Sequence, residues 1–166
     1  DKIPLSFPDH FNVSSLTETS GRQFTWFNST NTLILELEEP AEAGERFTFL
    51  LEATGTVECP NTGIKPCDFG GNYAYITHAD FYIQGSPVVL DMFKGSLTVT
   101  VPGQQVVVAT GRLVETTYTG DTSTFTYVHD FETIFYSFAV SNYVTTEAEI
   151  VGVPVRVHTR PNDKIH

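Results

Sequence analysis

The sequence predicts an all-β fold of the antiparallel β-sandwich type, and three observations carry this prediction. Apolar and polar side chains alternate with period two along most of the chain, which is typical of strands that bury one face. The alternating segments are rich in Thr, Val, Tyr and Phe and recur about every 8–12 residues, as in sandwiches and barrels. No window shows the apolar stripe of an amphipathic helix.

The clearest alternation begins at residue 33. In residues 33–38 the leucines share one face and the glutamates the other, and residues 47–51 alternate in the same way. Between them, residues 40–45 contain a proline and a glycine, which favour a turn. The two segments therefore predict a β-hairpin.

Further alternating segments follow downstream. They predict strands over residues 97–101, 106–109, 112–118, 124–130, 136–140, 143–150 and 153–158. The most irregular region is residues 56–85, where glycines, prolines and both cysteines gather, and long loops of this kind often carry function or contacts. Without a repeat, low-complexity tract or linker, residues 1–166 are predicted to form a single β-sandwich domain.

The charge of the chain excludes several classes of partner. Lys and Arg number 9 against 20 Asp and Glu, for a formal net charge of −11. Such a chain cannot displace counterions from nucleic acid or adhere to an anionic membrane, and the charge favours solubility instead. No apolar run approaches the roughly 18–20 residues that span a bilayer. Residues 1–5 do not resemble a signal peptide, so we expect the chain to be a fragment of a longer protein.

The two cysteines, Cys59 and Cys67, lie in one stretch rich in Pro, Gly and Asn. A disulfide between them would close a short loop and stabilise the fold by roughly 2–3 kcal/mol. Free thiols are the alternative, because pairing depends on the redox compartment. A zinc site would need about four ligands, and no second Cys/His pair has suitable spacing. The pair favours an extracytoplasmic location.

No complete catalytic motif is present in the sequence. The chain lacks His-Glu-x-x-His, a Gly-x-Ser-x-Gly elbow, a P-loop and a dinucleotide fingerprint. His78 with Asp80, and His129 with Asp130, are the His/carboxylate neighbours that could bind a metal or act as acid and base, although structural roles are commoner for such pairs. Aromatic residues led by Trp26 and Tyr82 leave a carbohydrate-binding platform open as an alternative.

An ordered set of segments resembles a known family. Residues 33–49 are similar to a strand, Pro-Ala, Gly-Glu, strand element, and residues 95–102 with 106–113 to a later element of strand, Pro, valines and Gly. Residues 136–143 and 152–161 resemble Ser-Phe-Ala-Val-Gly-x-Tyr and Gly-x-Pro-Val-x-Val. In this order, from about residue 11 to residue 161, they resemble the N-terminal β-domain of M1 zinc aminopeptidases, in its divergent bacterial branch.

The resemblance implies a saddle-like, non-catalytic domain that packs on the catalytic domain of the same protein and walls the peptide substrate cleft. Zinc is then expected in the missing catalytic domain and not in this chain. Residues 77–85 replace the family segment that helps hold the substrate amine, so Thr77, His78, Asp80 and Tyr82 are the candidate substrate-binding residues. The alternative function is a free-standing β-sandwich module that binds carbohydrate or protein.

Overall fold

A computed structural model describes residues 1–57, 59, 67–70, 72–77, 83, 85, 92–103 and 105–161. Across these ranges the fold is all-β, and every strand pair is antiparallel. The chain forms two compact units, the first from residues 1–58 and 79–92 and the second from residues 59–78 and 93–166. The strands are β1 Lys2–Ser6, β2 Phe11–Glu18, β3 Phe24–Ser29, β4 Thr32–Leu37, β5 Phe49–Gly55, β6 Cys67–Gly70, β7 Tyr73–Ile76, β8 Phe93–Pro102, β9 Val106–Ala109, β10 Arg112–Thr119, β11 Thr122–Thr133, β12 Phe138–Ser141, β13 Val144–Ile150 and β14 Val153–Thr159.

The first unit consists of a three-stranded sheet, β1-β4-β3, and a two-stranded sheet, β2-β5. The alternating leucines of β4 are fully or almost fully buried, and Leu33 and Leu35 have no exposed surface. They join Val13 and Leu16 of β2 in one apolar core. The first unit is therefore held together by side chains that the two sheets direct at each other.

Arg22 ties the chain after β2 to the segment between β4 and β5. Its guanidinium pairs with the Glu45 carboxylate and donates to the carbonyl oxygens of Glu39 at 2.8 Å and Pro40 at 2.6 Å. Glu18 accepts hydrogen bonds from the backbone N–H of Ser20 at 2.8 Å and of Arg22 at 3.1 Å. These contacts fix two turns that the core itself does not reach.

The second unit contains the sheets β10-β11-β8 and β6-β7-β12-β9, together with the hairpin β13-β14. Val101, Phe125 and Tyr127 of the first of these sheets share a core with Val107 and Val140 of the second. The Tyr127 hydroxyl donates to the carbonyl oxygen of Val107 at 2.6 Å. An apolar interface and a buried hydrogen bond thus join the two larger sheets of this unit.

The strands predicted between residues 97 and 158 are confirmed as β8 to β14, with ends that differ by a few residues. The predicted hairpin between residues 33–38 and 47–51 is wrong. Strand β4 pairs with β1 and β3, whereas β5 pairs with β2. Alternation specifies which face of a strand is buried but not which strand lies beside it, and here the turn at residues 40–45 leads from one sheet to the other.

Leu35→Ala tests the core of the first unit. Leu35 is 0% exposed, so truncation removes apolar contacts and leaves a cavity, and we expect a loss of about 3 kcal/mol in the free energy of unfolding. Leu50→Ala is the matched control, because Leu50 is 60% exposed and its truncation should change the free energy by less than about 0.5 kcal/mol. Urea unfolding followed by tryptophan fluorescence measures both. Equal losses in the two variants would contradict the assignment of this core.

The pKa of Glu18 predicts how the stability of the fold changes with pH. The hydrogen bond from the Ser20 hydroxyl is the largest cause that holds the pKa of Glu18 below its ordinary value of 4.5, and burial opposes it. A lowered folded-state pKa stabilises the protein above the unfolded value, and this contribution is lost as the pH falls from about 4.5 through the folded value. Glu18→Gln should therefore be less stable at neutral pH and show a flatter acid limb in thermal unfolding. Glu38→Gln removes the same charge from an exposed position of the same unit and is the matched control.

Candidate functional site

The predicted substrate-binding residues fall at the boundary of the described chain. Thr77 follows β7 directly and is exposed. Strand β7 fixes its position, because Ile76 is buried and pairs with Cys67 on one side and Phe138 on the other. His78, Asp80 and Tyr82 lie outside the described residues. Their role in substrate binding stays a prediction.

A disulfide closes the loop that precedes this strand pair. The sulfurs of Cys59 and Cys67 are bonded, with their Cα atoms 5.4 Å apart. Cys67 is buried and begins β6, so the bond attaches the loop to the sheet. The residues between position 59 and position 67 lie outside the described chain.

A polar cluster lies on the hairpin β6-β7, next to Thr77 in sequence. The Tyr73 hydroxyl donates to a carboxylate oxygen of Asp68 at 3.0 Å, and the Arg160 guanidinium lies 4.6 Å from the centre of the Tyr73 ring. Gly70 makes room for this ring, because a Cβ at that position would lie 2.2 Å from a ring carbon. The cluster therefore links the hairpin to the chain just after β14.

The hydrogen bond to Asp68 is the largest cause that raises the pKa of Tyr73 above its ordinary value of 10.0, followed by the charge of Asp68. At neutral pH Tyr73 is therefore a hydrogen-bond donor and not a base. Ser141 of β12 donates from its hydroxyl to the carbonyl oxygen of Asn72 at 3.0 Å and anchors the turn of the same hairpin. The cluster holds a carboxylate in a fixed place.

His129 and Asp130 do not form an acid-base pair. His129 is 3% exposed, and its ring lies 4.8 Å from that of Tyr136, edge to face. Asp130 is exposed on the other face of β11 and pairs with Arg112 at 3.1 Å. Neither ring nitrogen of His129 has a hydrogen-bond partner among the described residues. Successive residues of a strand point to opposite faces, which explains why neighbours in sequence are separated here.

The aromatic residues of β3 do not make a platform together. Trp26 is half-buried against the core of the first unit, whereas Phe27 is 42% exposed on the opposite face. The structure thus assigns Trp26 a packing role, and a carbohydrate surface that used both rings is not formed.

The second unit has a cleft of about 520 Å³ that the sequence did not indicate. Strands β9, β10 and β11 line it, together with Thr145 and Glu147 of β13 and Arg156 and His158 of β14. Its charged residues are already paired, Arg156 with Glu147 at 2.8 Å and Arg112 with Asp130 at 3.1 Å. His158 shares a hydrogen bond of 2.9 Å with the Thr145 hydroxyl. Its lining comes from five strands between residues 106 and 158, so no local motif indicates it.

The described ranges contain neither a metal-binding cluster nor a membrane-spanning helix. No group of three or more His, Cys, Asp or Glu side chains in them could hold a metal ion. Nor do those ranges include a helix with the length and apolar character needed to cross a bilayer.

Comparison with known proteins identifies solved structures that share this fold. No protein-family model matches the chain, and no curated protein matches it in sequence. An M1 zinc metallopeptidase from Deinococcus radiodurans, solved with a Tyr-Ser-Ala substrate, superposes over 93% of this chain with a TM-score of 0.75 and 18% identity. The chain has the fold of the N-terminal β-domain of M1 zinc metallopeptidases. The predicted fold class is thereby confirmed.

Two further structures show the same relation. A two-domain M1 zinc metallopeptidase bound to L-arginine matches 93% of the chain with a TM-score of 0.76 and 18% identity. Aminopeptidase A from Legionella pneumophila, in complex with aspartic acid, matches 96% with a TM-score of 0.69 and 11% identity. The chain spans 38% of the length of the first two structures and 20% of the third.

Reduction of the disulfide is expected to lower the stability of the folded chain. Cys59 and Cys67 are 8 residues apart in sequence, so the bond should stabilise the folded chain by about 2.5 kcal/mol through the smaller entropy of the unfolded state. Urea unfolding with and without dithiothreitol measures the difference, and alkylation with mass spectrometry counts the free thiols. A variant with both cysteines replaced by serine should have the same free energy of unfolding with and without dithiothreitol. Two free thiols in the untreated protein would contradict the pairing.

Proposed function

We propose that the chain is the non-catalytic N-terminal domain of an M1-type zinc aminopeptidase, where it packs on the catalytic domain and walls one side of the peptide substrate cleft. The observation that carries this proposal is the structural match, which extends over 93% of this chain but only 38% of the Deinococcus enzyme. A likeness of that kind is expected when one polypeptide corresponds to one domain of a larger protein. The order of the sequence segments that resemble the family supports it independently.

The chemistry of the described residues fits a supporting domain. They offer no cluster of metal ligands, so the zinc of the proposed enzyme is assigned to a separate catalytic domain of the parent protein. A bound zinc ion lowers the pKa of its water and polarises a carbonyl oxygen, and no step of that chemistry falls to this chain. This chain would contribute the shape and the charge of one wall of the substrate cleft, together with contacts to the peptide.

The proposed contact to the peptide lies at residues 77–82. Thr77 extends from the sheet at the end of β7, beside the hairpin that the disulfide and the Tyr73 cluster fix in place. The net charge of −11 favours a protonated amine near this domain. Asp80 would then pair with the N-terminal ammonium group of the substrate, and Thr77, His78 and Tyr82 are the other candidate contacts.

The first experiment uses the polypeptide encoded by the complete gene. We expect about one zinc ion per molecule by elemental analysis and hydrolysis of aminoacyl nitroanilides, whereas the 166-residue chain should show neither. A complete protein without zinc and without aminopeptidase turnover would leave the free-standing interaction module as the better assignment. A glycan array with the 166-residue chain would then test the carbohydrate alternative.

Asp80→Asn tests the contact to the amine. Loss of one charge-assisted hydrogen bond weakens binding by about 1.5–3 kcal/mol, so KM should rise at least about tenfold with a smaller change in kcat. Asp121→Asn is the control, because Asp121 is an exposed aspartate in the turn between β10 and β11. If both variants keep the KM of the unmodified enzyme, Asp80 has no part in substrate binding.

A further inference from the structure

The cleft of the second unit has the size of a small-molecule site. Its volume is about 520 Å³, and ligand pockets measure roughly 300–1,000 Å³. The depressions between residues 103 and 123 and between residues 7 and 32 measure about 410 Å³ and 230 Å³. Neither of those two has a basic residue in its lining, whereas the cleft has Arg112 and Arg156. The cleft therefore differs from them in chemistry as well as in size.

Strand β9 supplies apolar surface to the cleft. Its four residues, Val106–Ala109, all line it. Val107 belongs to the core and is 1% exposed, whereas the other three are half-buried. Leu113 of β10 adds aliphatic surface and is 36% exposed. The Tyr127 hydroxyl is already bonded to the carbonyl oxygen of Val107 at 2.6 Å. An apolar group of a ligand would therefore be stabilised by burial against β9 and Leu113.

Arg156 brings a positive charge close to this surface. Burial is the largest cause that raises the pKa of Tyr127 above its ordinary value of 10.0, and a backbone hydrogen bond from Ala109 and the charge of Arg156 oppose it. The guanidinium therefore lies near the phenol. The Glu147 carboxylate accepts from Nε of Arg156 at 2.8 Å, whereas an arginine has five N–H donors. Because the Arg156 side chain is 60% exposed, a ligand from solvent can reach its terminal nitrogens.

The charge of the lining has the opposite sign to that of the chain. Its charged residues are Arg112, Arg156 and Glu147, two cations against one anion. The whole chain has 9 Lys and Arg against 20 Asp and Glu. Asp130, which accepts hydrogen bonds from Nε and Nη2 of Arg112, is not among the lining residues. The cleft is therefore a place where an acidic protein attracts an anion.

We propose that this cleft binds a small organic carboxylate with an aliphatic side chain, and this inference does not depend on the function proposed above. The carboxylate would accept hydrogen bonds from Arg156, because a guanidinium matches the planar geometry of a carboxylate. Arg112 would add to the attraction, and the aliphatic part would lie against β9 and Leu113. The single excess positive charge of the lining fits a monoanion. Inorganic phosphate fits less well, because it has no apolar part.

N-acetyl-L-leucine is the probe, because it combines a carboxylate with an aliphatic side chain. Its amine is blocked, so it does not compete for a site that holds a substrate ammonium group. N-acetyl-L-leucinamide is the matched control ligand, since it lacks the negative charge. In a titration of the 166-residue chain followed by amide NMR resonances, we expect a Kd of about 1 mM or below for the acid and at least about tenfold weaker binding of the amide. Equal affinities, or no saturable shift with the acid, would overturn the proposal.

The resonances that move locate the site. Amides of residues 106–118 and 145–158 should shift with the acid, whereas those of residues 1–57 should not. Shifts confined to the first unit would place the binding elsewhere and overturn the assignment of the cleft. Inorganic phosphate should bind at least about tenfold more weakly than the acid, because it gains nothing from apolar burial. Equal binding of phosphate would contradict the proposed ligand class.

Arg156→Gln tests the cation. Loss of its charge-assisted hydrogen bonds should raise the Kd of N-acetyl-L-leucine at least about tenfold. Lys2→Gln is the matched control, because Lys2 also pairs with a glutamate, Glu36 at 3.6 Å, and its side chain is 61% exposed in the first unit. Thermal unfolding of both variants verifies that they fold. A Kd that Arg156→Gln leaves unchanged, or that Lys2→Gln raises equally, would overturn the proposal.

Discussion

The side chains that β11 directs inward hold together the two larger sheets of the second unit. Phe125 and Tyr127 meet Val107 and Val140, and the buried hydroxyl of Tyr127 donates to the backbone of β9. Both ends of this hydrogen bond are shielded from water, so losing one partner would leave the other unsatisfied. The packing fixes β12 against β9 and β7, and β7 carries Tyr73 and positions Thr77, which follows it directly.

Much of the fold follows from residue pattern, because period-two alternation is a direct consequence of burying one face of a strand. The segments 112–118 and 124–130 were recognisable for this reason, and they became β10 and β11. The pairing of strands does not follow from the residue pattern. Residues 33–38 and 47–51 are close in sequence, yet they belong to different sheets because β1 and β3 already occupy both edges of β4.

The candidate site was less accessible from sequence. Strands β6 and β7 have four residues each and include glycine and aspartate, so alternation over them carries little information. Tyr73 contacts both Asp68 and Arg160, which are 92 residues apart in sequence. No local spacing of residues predicts such a contact. The same holds for His129 and Asp130, whose adjacency suggested a pair that the strand then separates onto opposite faces. The disulfide was foreseeable because its two cysteines share one short loop.

The way the two units share the chain has a consequence for synthesis and for dissection of the protein. The polypeptide leaves the first unit after residue 58, returns to it at residue 79 and leaves again after residue 92. Ile83, on the returning segment, packs against the core of the first unit. The first unit therefore cannot finish folding on the ribosome until a piece of the second has already been made. No single cut in the sequence separates the two units with both intact.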